Sequence, residues 1–425
     1  MNSLWRPLLE NSAAERALEA ARAIAASLPA AEAPPPLRHA SLAGGQAGQA
    51  LFYAYLSMVT EDEAAADMAA GLLDQASEQL AETPLPATLY TGFPGVAWTL
   101  EHLQGRLFEP AGEDDEDPAL EIDEALSAPL ERTPWRGEYD LISGLTGLGV
   151  YALERLPRPS AAGVLERIVD RLAGIADTSQ GGAAWFTPPE QLPEWQREYH
   201  PQGNYNLGVA HGLPGVLPVL AGACAAGVAV DRARPLLDAA VAFLMARRLA
   251  PGMGSCFAHT WAPWEPDTTS RLAWCYGDPG VAASLLATAR AVGEPEWERV
   301  ALDVALQSAA RPEATAGIRD AGLCHGAAGL GHLFNRMYQT TGEEPLAEAA
   351  RFWFDRALGF RQDGEGIAGF RAWGTMPDGG MDWRTEPGFL EGAAGIGLAL
   401  LGAVSSVEPA WDRILAVSVK TPGQD

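Results

Sequence analysis

The sequence predicts an all-α ring of seven helical hairpins, and three observations predict it. The pattern Gly-x-x-Gly occurs seven times, at Gly45/Gly48, Gly92/Gly95, Gly144/Gly147, Gly212/Gly215, Gly277/Gly280, Gly326/Gly329 and Gly392/Gly395. The segments between the pairs are rich in Ala, Leu, Glu and Arg, with apolar residues near a 3.6-residue period. The stretch that follows each pair is more uniformly apolar, as buried helices are. Successive first glycines stand 47, 52, 68, 65, 49 and 66 residues apart, a period at which one supersecondary unit recurs and stacks on its neighbours.

Taken in chain order, the amphipathic segments 12–28, 62–81, 161–175, 232–248, 295–309 and 344–358 read as outer helices, and the third outer helix, near 119–130, carries the weakest signal. The apolar stretches 96–103, 148–156, 216–226 and 396–404 read as inner helices. The simplest arrangement is an outer helix followed by an inner one, with the glycine loop leading into the inner helix and the ring closing without an exposed end. Glycines at that junction let the backbone turn tightly and let the inner helices approach closely.

Composition bounds the rest. The repeat runs from 41 to 401 in a chain of 425 residues, which leaves no room for a second domain, so 1–425 is read as one. Apolar residues make up 48% and charged residues 20%, as in a globular protein with a large core. No apolar run reaches the roughly 18–20 residues of a spanning helix, and Glu10 and Glu15 stand where a signal peptide needs a basic end, so the expected location is cytoplasmic. Four cysteines in such a chain are expected to be reduced thiols, free for metal binding or catalysis. A net charge of -26 argues against nucleic-acid binding, which needs a basic surface.

The spacings of 65–68 leave roughly 15 residues beyond two helices, and these fall in the segments 178–206, 251–270 and 362–389. They are read as loops. Six of the 13 tryptophans lie there, Trp185, Trp195, Trp261, Trp264, Trp373 and Trp383. Such loops serve either as a surface for a large flexible substrate or as a lid that shields the core. The acidic run 113–117 reads as a solvated connection.

The residue before each first glycine differs from copy to copy: Gly44, Thr91, Ser143, His211, Tyr276, His325 and Glu391. Two consecutive copies carry metal-binding chemistry. Arg271-Leu-Ala-Trp274-Cys275-Tyr276-Gly277 is followed one repeat later by Gly322-Leu-Cys324-His325-Gly326. If neighbouring loops converge, Cys275, Cys324 and His325 offer one ion two thiolates and an imidazole, a set suited to tetrahedral zinc with an open fourth position. Such a site binds and activates a thiol.

Other candidates fail this positional test. Cys224 sits in an apolar stretch and reads as core, and Cys256 with His259 forms a C-x-x-H off the repeat register with no second half. His39, His102, His200 and His332 show no alignment with the motifs. Gly364, Gly366 and Gly369 match G-x-G-x-x-G without a preceding strand or following helix.

Asn206-Leu-Gly-Val-Ala-His211-Gly, Trp274-Cys-Tyr-Gly277 and Cys324-His-Gly326, with the other glycine pairs, make the chain resemble the lanthionine synthetase C-like proteins, the lanthipeptide cyclases, over nearly its whole length. The resemblance implies an α/α toroid of seven inner and seven outer helices, and a zinc ion on Cys275, Cys324 and His325. It also implies addition of a peptide cysteine thiol to a dehydroalanine or dehydrobutyrine, closing a thioether ring. Attack at Cβ leaves an enolate that needs stabilisation and then a proton at Cα. His211, in the slot that His325 occupies two repeats later, is the expected proton donor. Asp140 matches the family's catalytic aspartate, and Arg271 and Tyr276 match active-site positions beside Cys275. The bland readings are a helix N-cap for Asp140, loop hydrogen bonds for His211 and Tyr276, and a surface charge for Arg271.

About 40 residues precede the first glycine motif, whose copy is degenerate, so a free-standing cyclase is expected. Its partners by resemblance are a dehydrated precursor peptide, leader plus core, and a partner dehydratase. Association with membrane-bound export machinery is not predictable from the sequence. Two rivals stay open: zinc-dependent addition of glutathione to dehydrated residues, and a non-catalytic peptide-binding scaffold.

Overall fold

A computed structural model describes residues 5–31, 39–109, 117–376 and 380–420. Of the acidic run 113–117 only Asp117 is among them, and the side chain of Trp195 also lies outside the described ones. Seven helices begin immediately after the first glycine of a pair: α2 (Gln46–Thr60), α4 (Phe93–Leu103), α6 (Leu145–Glu154), α9 (Leu213–Ala225), α11 (Asp278–Val292), α13 (Ala327–Thr341) and α15 (Ala393–Val404). Between them run α1 (Asn11–Ser27), α3 (Glu63–Glu82), α5 (Leu120–Leu130), α7 (Pro159–Ile175), α10 (Val230–Met245), α12 (Pro295–Ala309) and α14 (Glu344–Gly359), with a short α8 (Glu194–Tyr199) inside the fourth repeat. The weakly signalled third outer helix is α5. The two sets differ in burial as their sequences require: every residue of α15 from Ala393 to Ala403 is buried, whereas α1 buries only Ala17, Ala20, Ala21 and Ile24, one stripe at helical spacing.

The described residues gather into two compact units: those within 5–86, 90–109 and 312–411 form one, and those within 87–89, 117–311 and 412–420 form the other. In the first, α2 packs against α4 and α15, α13 packs on α15, and α1 lies across α15 and α14. In the second, α9 packs against both α6 and α11. The tight hairpins pair an inner helix with the outer helix that follows it, α2 with α3, α11 with α12 and α13 with α14. This differs in phase from the outer-then-inner hairpin expected from the glycine loops. The reason lies in the turns. Gly293 and Gly342 end α11 and α13 at φ of 71° and 75°, the left-handed C-cap, and Asp62 accepts the Ala64 N–H (3.0 Å) to start α3.

The glycine pairs themselves are there for space. Each first glycine is an N-cap with extended φ, open to any residue, so no special turn conformation is involved. A Cβ on the second glycine would overlap the carbonyl oxygen of the residue six positions back, Leu42, Leu141, Val209, Trp274, Leu323 and Phe389 in six of the copies. The loop thus folds flat across the first turn of its own inner helix, and only hydrogen fits between them.

The long segments are not wholly irregular. Phe186–Thr187 (β1), Asn204–Asn206 (β2) and Thr260–Trp261 (β3) form an antiparallel sheet with Tyr205 opposite both Phe186 and Trp261, so the fourth and fifth repeats' extra residues build one platform. Arg247 lies 4.3 Å from the Phe243 ring centre and 3.9 Å from that of Trp261. Trp185 is buried and donates to the Leu172 carbonyl (3.0 Å). In the seventh repeat Ala372–Thr375 (β4) and Met381–Arg384 (β5) pair, with Trp373 opposite Trp383. Strands of two to four residues are too short to show a two-residue period in sequence. Among the described residues no helix is long and apolar enough to cross a membrane.

Candidate active site

The loops that precede α6, α9 and α11 are stitched together by backbone bonds, Leu141 N–H to Ala210 O (3.2 Å) and Ala210 N–H to Cys275 O (3.4 Å). This brings Asp140 beside His211 and His211 beside Tyr276. Asp140 is buried; its Oδ1 accepts the Ser143 N–H (2.7 Å) and its Oδ2 accepts from His211 Nδ1. Asp140 therefore does hold its loop, although the N-cap of α6 is Gly144, and it also fixes the tautomer of His211 so that Nε2 faces away. The His211 carbonyl accepts the Tyr139 hydroxyl (3.1 Å). Burial works against the imidazolium, but the Asp140 hydrogen bond and charge outweigh it, with Cys275 and Glu138 adding to them, and the His211 pKa is raised above its usual value.

Tyr276 stacks near His211, ring centres 6.0 Å apart at 25°. Its hydroxyl accepts from Asn206 Nδ2 (3.2 Å), while Asn206 Oδ1 accepts the Gly208 N–H (2.9 Å). Burial pushes the Tyr276 hydroxyl up to about 12, so it remains a donor at neutral pH. Arg271 is exposed but not a mere surface charge, since its Nη2 stands 3.7 Å from Cys275 Sγ. A guanidinium there favours the thiolate.

Cys275 and Cys324 are buried, unoxidised thiols and His325 is half-buried; the donor atoms of the three all lie within 4.8 Å of one another. Two donors about 2.3 Å from one ion at the tetrahedral angle stand ~3.8 Å apart, so this spread fits a single zinc ion. The donor chemistry fits as well: two soft thiolates and a borderline imidazole suit zinc better than calcium or magnesium. The Cys324 loop is held by its N–H on Leu390 O (2.9 Å) and by Asp320, whose carboxylate accepts from Gly322 N (3.1 Å) and Trp373 N (2.9 Å).

No other group of three such donors occurs among the described residues. Cys256 is buried, its thiol held at the Gln307 side chain (3.4 Å) and pushed up to about 11 by burial, and His259 pairs with the Thr268 hydroxyl (3.2 Å). His102 stacks on Trp98 and bonds Tyr55 (2.9 Å), and His332 stacks on Trp411, both in the core. Cys224 lies on α9.

Sequence reasoning missed the supports of these side chains. Glu138, Asn206 and Asp320 all occupy the position six residues before a first glycine, as Arg271 does, and in four successive copies that position is polar. Burial raises the carboxyl of Glu138, helped by the charge of Asp140, and burial likewise raises that of Asp320. The signal was present as a second polar column in the repeat.

Repeated helices whose glycine loops bear a Cys/Cys/His group able to hold a metal define a class, the helical-repeat proteins with a thiol-rich donor set at those loops. The family model described as lanthionine synthetase C-like protein matches residues 37–416, and the chain belongs to that family. The nisin biosynthesis protein NisC of Lactococcus lactis subsp. lactis is 26% identical over 280 residues, 60% of this chain and 64% of its own length. The chain thus aligns with less than two thirds of that relative. The solved structure of nisin cyclase superposes with a TM-score of 0.71 at 20% identity, over 90% of this chain and 93% of that one. The shared fold is the α/α toroid.

Proposed function

We propose that this chain is a zinc-dependent lanthipeptide cyclase, which adds cysteine thiols of a dehydrated precursor peptide to dehydroalanine or dehydrobutyrine. The observation that carries this reading is the approach of Cys275, Cys324 and His325 within 4.8 Å, beside a hydrogen-bonded Asp140–His211 pair on the adjoining loops. Zinc held by Cys275, Cys324 and His325 would supply Lewis acidity that keeps a substrate thiol ionised near neutral pH.

The chain's own residues account for the rest. Arg271, near Cys275, offsets the negative charge that gathers as sulfur approaches the alkene. The C–S bond forms at Cβ, the C=C π bond breaks, and its electrons pass to the carbonyl as an enolate. Tyr276, protonated and oriented by Asn206, and Arg271 are the donors available to that oxygen. His211, charged by virtue of Asp140, then delivers a proton to Cα. The thiol proton lost at the start balances the one gained, and the product has the mass of the substrate.

The dehydrated peptide comes from a dehydratase, and its leader docks on the platform of β1, β2 and β3. The test is purified chain with a dehydrated peptide, read by mass spectrometry with and without thiol alkylation. Loss of alkylatable thiol at unchanged mass supports cyclisation. A glutathione-sized increment when glutathione is supplied, with no ring, would instead assign the nucleophile to a free thiol. No chemistry in metal-replete protein would leave a binding scaffold.

A further inference from the structure

A cavity of about 550 Å³ opens beside the candidate site, walled by Arg271 and Tyr276 on one side and by the segment that ends α8 and the loop after β3 on the other. Most of its polar groups apart from Arg271 are already engaged. His200 Nδ1 meets Glu265 Oε2 at 2.7 Å, His259 Nδ1 meets the Thr268 hydroxyl, and the Tyr276 hydroxyl accepts from Asn206. Burial lowers the pKa of His259, so it is neutral at pH 7. Besides Arg271 and Gln196, the walls offer a visitor Tyr199, 73% exposed, Pro266, Thr260, Thr268 and Tyr276. Tyr199 is the most exposed large hydrophobic residue among the described ones, and it stands at the mouth of this cavity.

Resting on the function proposed above, we infer that this cavity is a specificity subsite that receives an uncharged apolar or aromatic side chain of the precursor, borne by the residue next to the reacting cysteine. Continuity fixes the neighbour: Arg271 lines the cavity and stands 3.7 Å from Cys275 Sγ, so a thiol brought to Cys275 places the adjoining residue at the cavity mouth. Charge fixes the chemistry. Glu265 and Arg271 both line the cavity, so a charged side chain of either sign meets a like charge as well as an opposite one and gives up its hydration, whereas an apolar side chain displaces water from walls whose polar groups are mostly hydrogen-bonded. The volume exceeds that of any one side chain, leaving room for the peptide backbone beside Arg271.

The experiment measures binding, not turnover. Acetylated heptapeptide amides carrying a single cysteine among alanines, with Gly, Phe, Asp or Lys beside the cysteine on either side, are titrated calorimetrically into the full chain. These peptides have no dehydro residue and cannot react. The Phe peptide is expected to bind roughly tenfold or more tighter than the Gly peptide, the scale on which an apolar pocket discriminates, with Asp and Lys no better than Gly. Thr268→Trp, which fills the cavity, should bring Phe and Gly within twofold of each other. Tyr199→Ala, at an exposed position that folding tolerates, should weaken Phe several-fold and Gly little, and it decides the matter if Thr268→Trp does not fold. Equal binding of Phe and Gly to the unaltered chain, or a Phe preference that survives both substitutions at unchanged thermal midpoint, overturns the subsite. A preference for Phe in a chain that closes no rings would keep the subsite and discard the cyclase.

Discussion

Asp140 lies buried against His211 with its other oxygen on the Ser143 N–H, so the pair cannot drift apart without breaking the loop. The imidazole pKa is raised in the folded chain, so any stability that the pair contributes is complete below the ordinary histidine pKa and lost as pH rises through the raised value. Activity follows the same sign if His211 is the acid: kcat/KM falls on the alkaline side as the proton is lost. Asp140→Asn removes the group that raises the pKa, so that limb should move to lower pH, and His211→Asn should abolish it while lowering the rate roughly 10²–10⁴-fold at unchanged zinc content. A pH profile of the two variants that overlays the parent would remove His211 from the mechanism. In the proposed mechanism Asn206 acts one step back, through the Tyr276 hydroxyl that its Nδ2 meets. Asn206→Ala should lower kcat with little change in KM or in bound metal, and Asn206→Asp, which keeps an acceptor for Gly208 but has no donor for Tyr276, should not rescue it.

At the scale of elements, the glycine pairs make a sharp prediction. Gly280→Ala forces a methyl onto the Trp274 carbonyl, at the start of α11 and next to Cys275, and should cost about 1–3 kcal/mol of stability by overpacking. Gly71→Ala, inside α3 with nothing within 4 Å of the new Cβ, should instead stabilise by about 0.5–1 kcal/mol. Paired denaturant melts check both signs. The helices themselves were legible, because a buried helix and an amphipathic one carry different patterns over ten or more residues and both recur seven times. The phase of the hairpins was not legible. It is set by one-residue devices, Asp62 as a cap and Gly293 and Gly342 as left-handed stops, that any loop could contain. The short strands escaped for the opposite reason: the Phe186, Tyr205 and Trp261 register joins segments about 20 and 55 residues apart, and no local pattern records a pairing of that range.

For the whole molecule, repetition is what made the site readable. Equivalent loops present equivalent positions, so two cysteines and a histidine in matching slots of consecutive copies could be predicted to meet, whereas Cys256 and His259, close in sequence, answer to Gln307 and Thr268 instead. The polar column six residues before the first glycine of the third to sixth copies went unread because its side chains answer to backbone and neighbours that only the fold supplies. The same logic gives a prediction about metal. Donors at 275 and at 324–325 come together only in the folded chain, so the proposed zinc would bind that state and stabilise it by about 2.7 kcal/mol when present at a hundredfold its dissociation constant. Dialysis against a chelator should therefore lower the thermal midpoint by a few degrees, release one zinc per chain, and raise by two the number of cysteines that react with a thiol reagent, since Cys224 and Cys256 lie outside the group. Restoring zinc should reverse all three. Cys275→Ser should mimic chelation in the midpoint and leave only one cysteine to be unmasked. A chain whose midpoint, metal content and thiol count ignore the chelator would have its Cys/Cys/His group reassigned to packing.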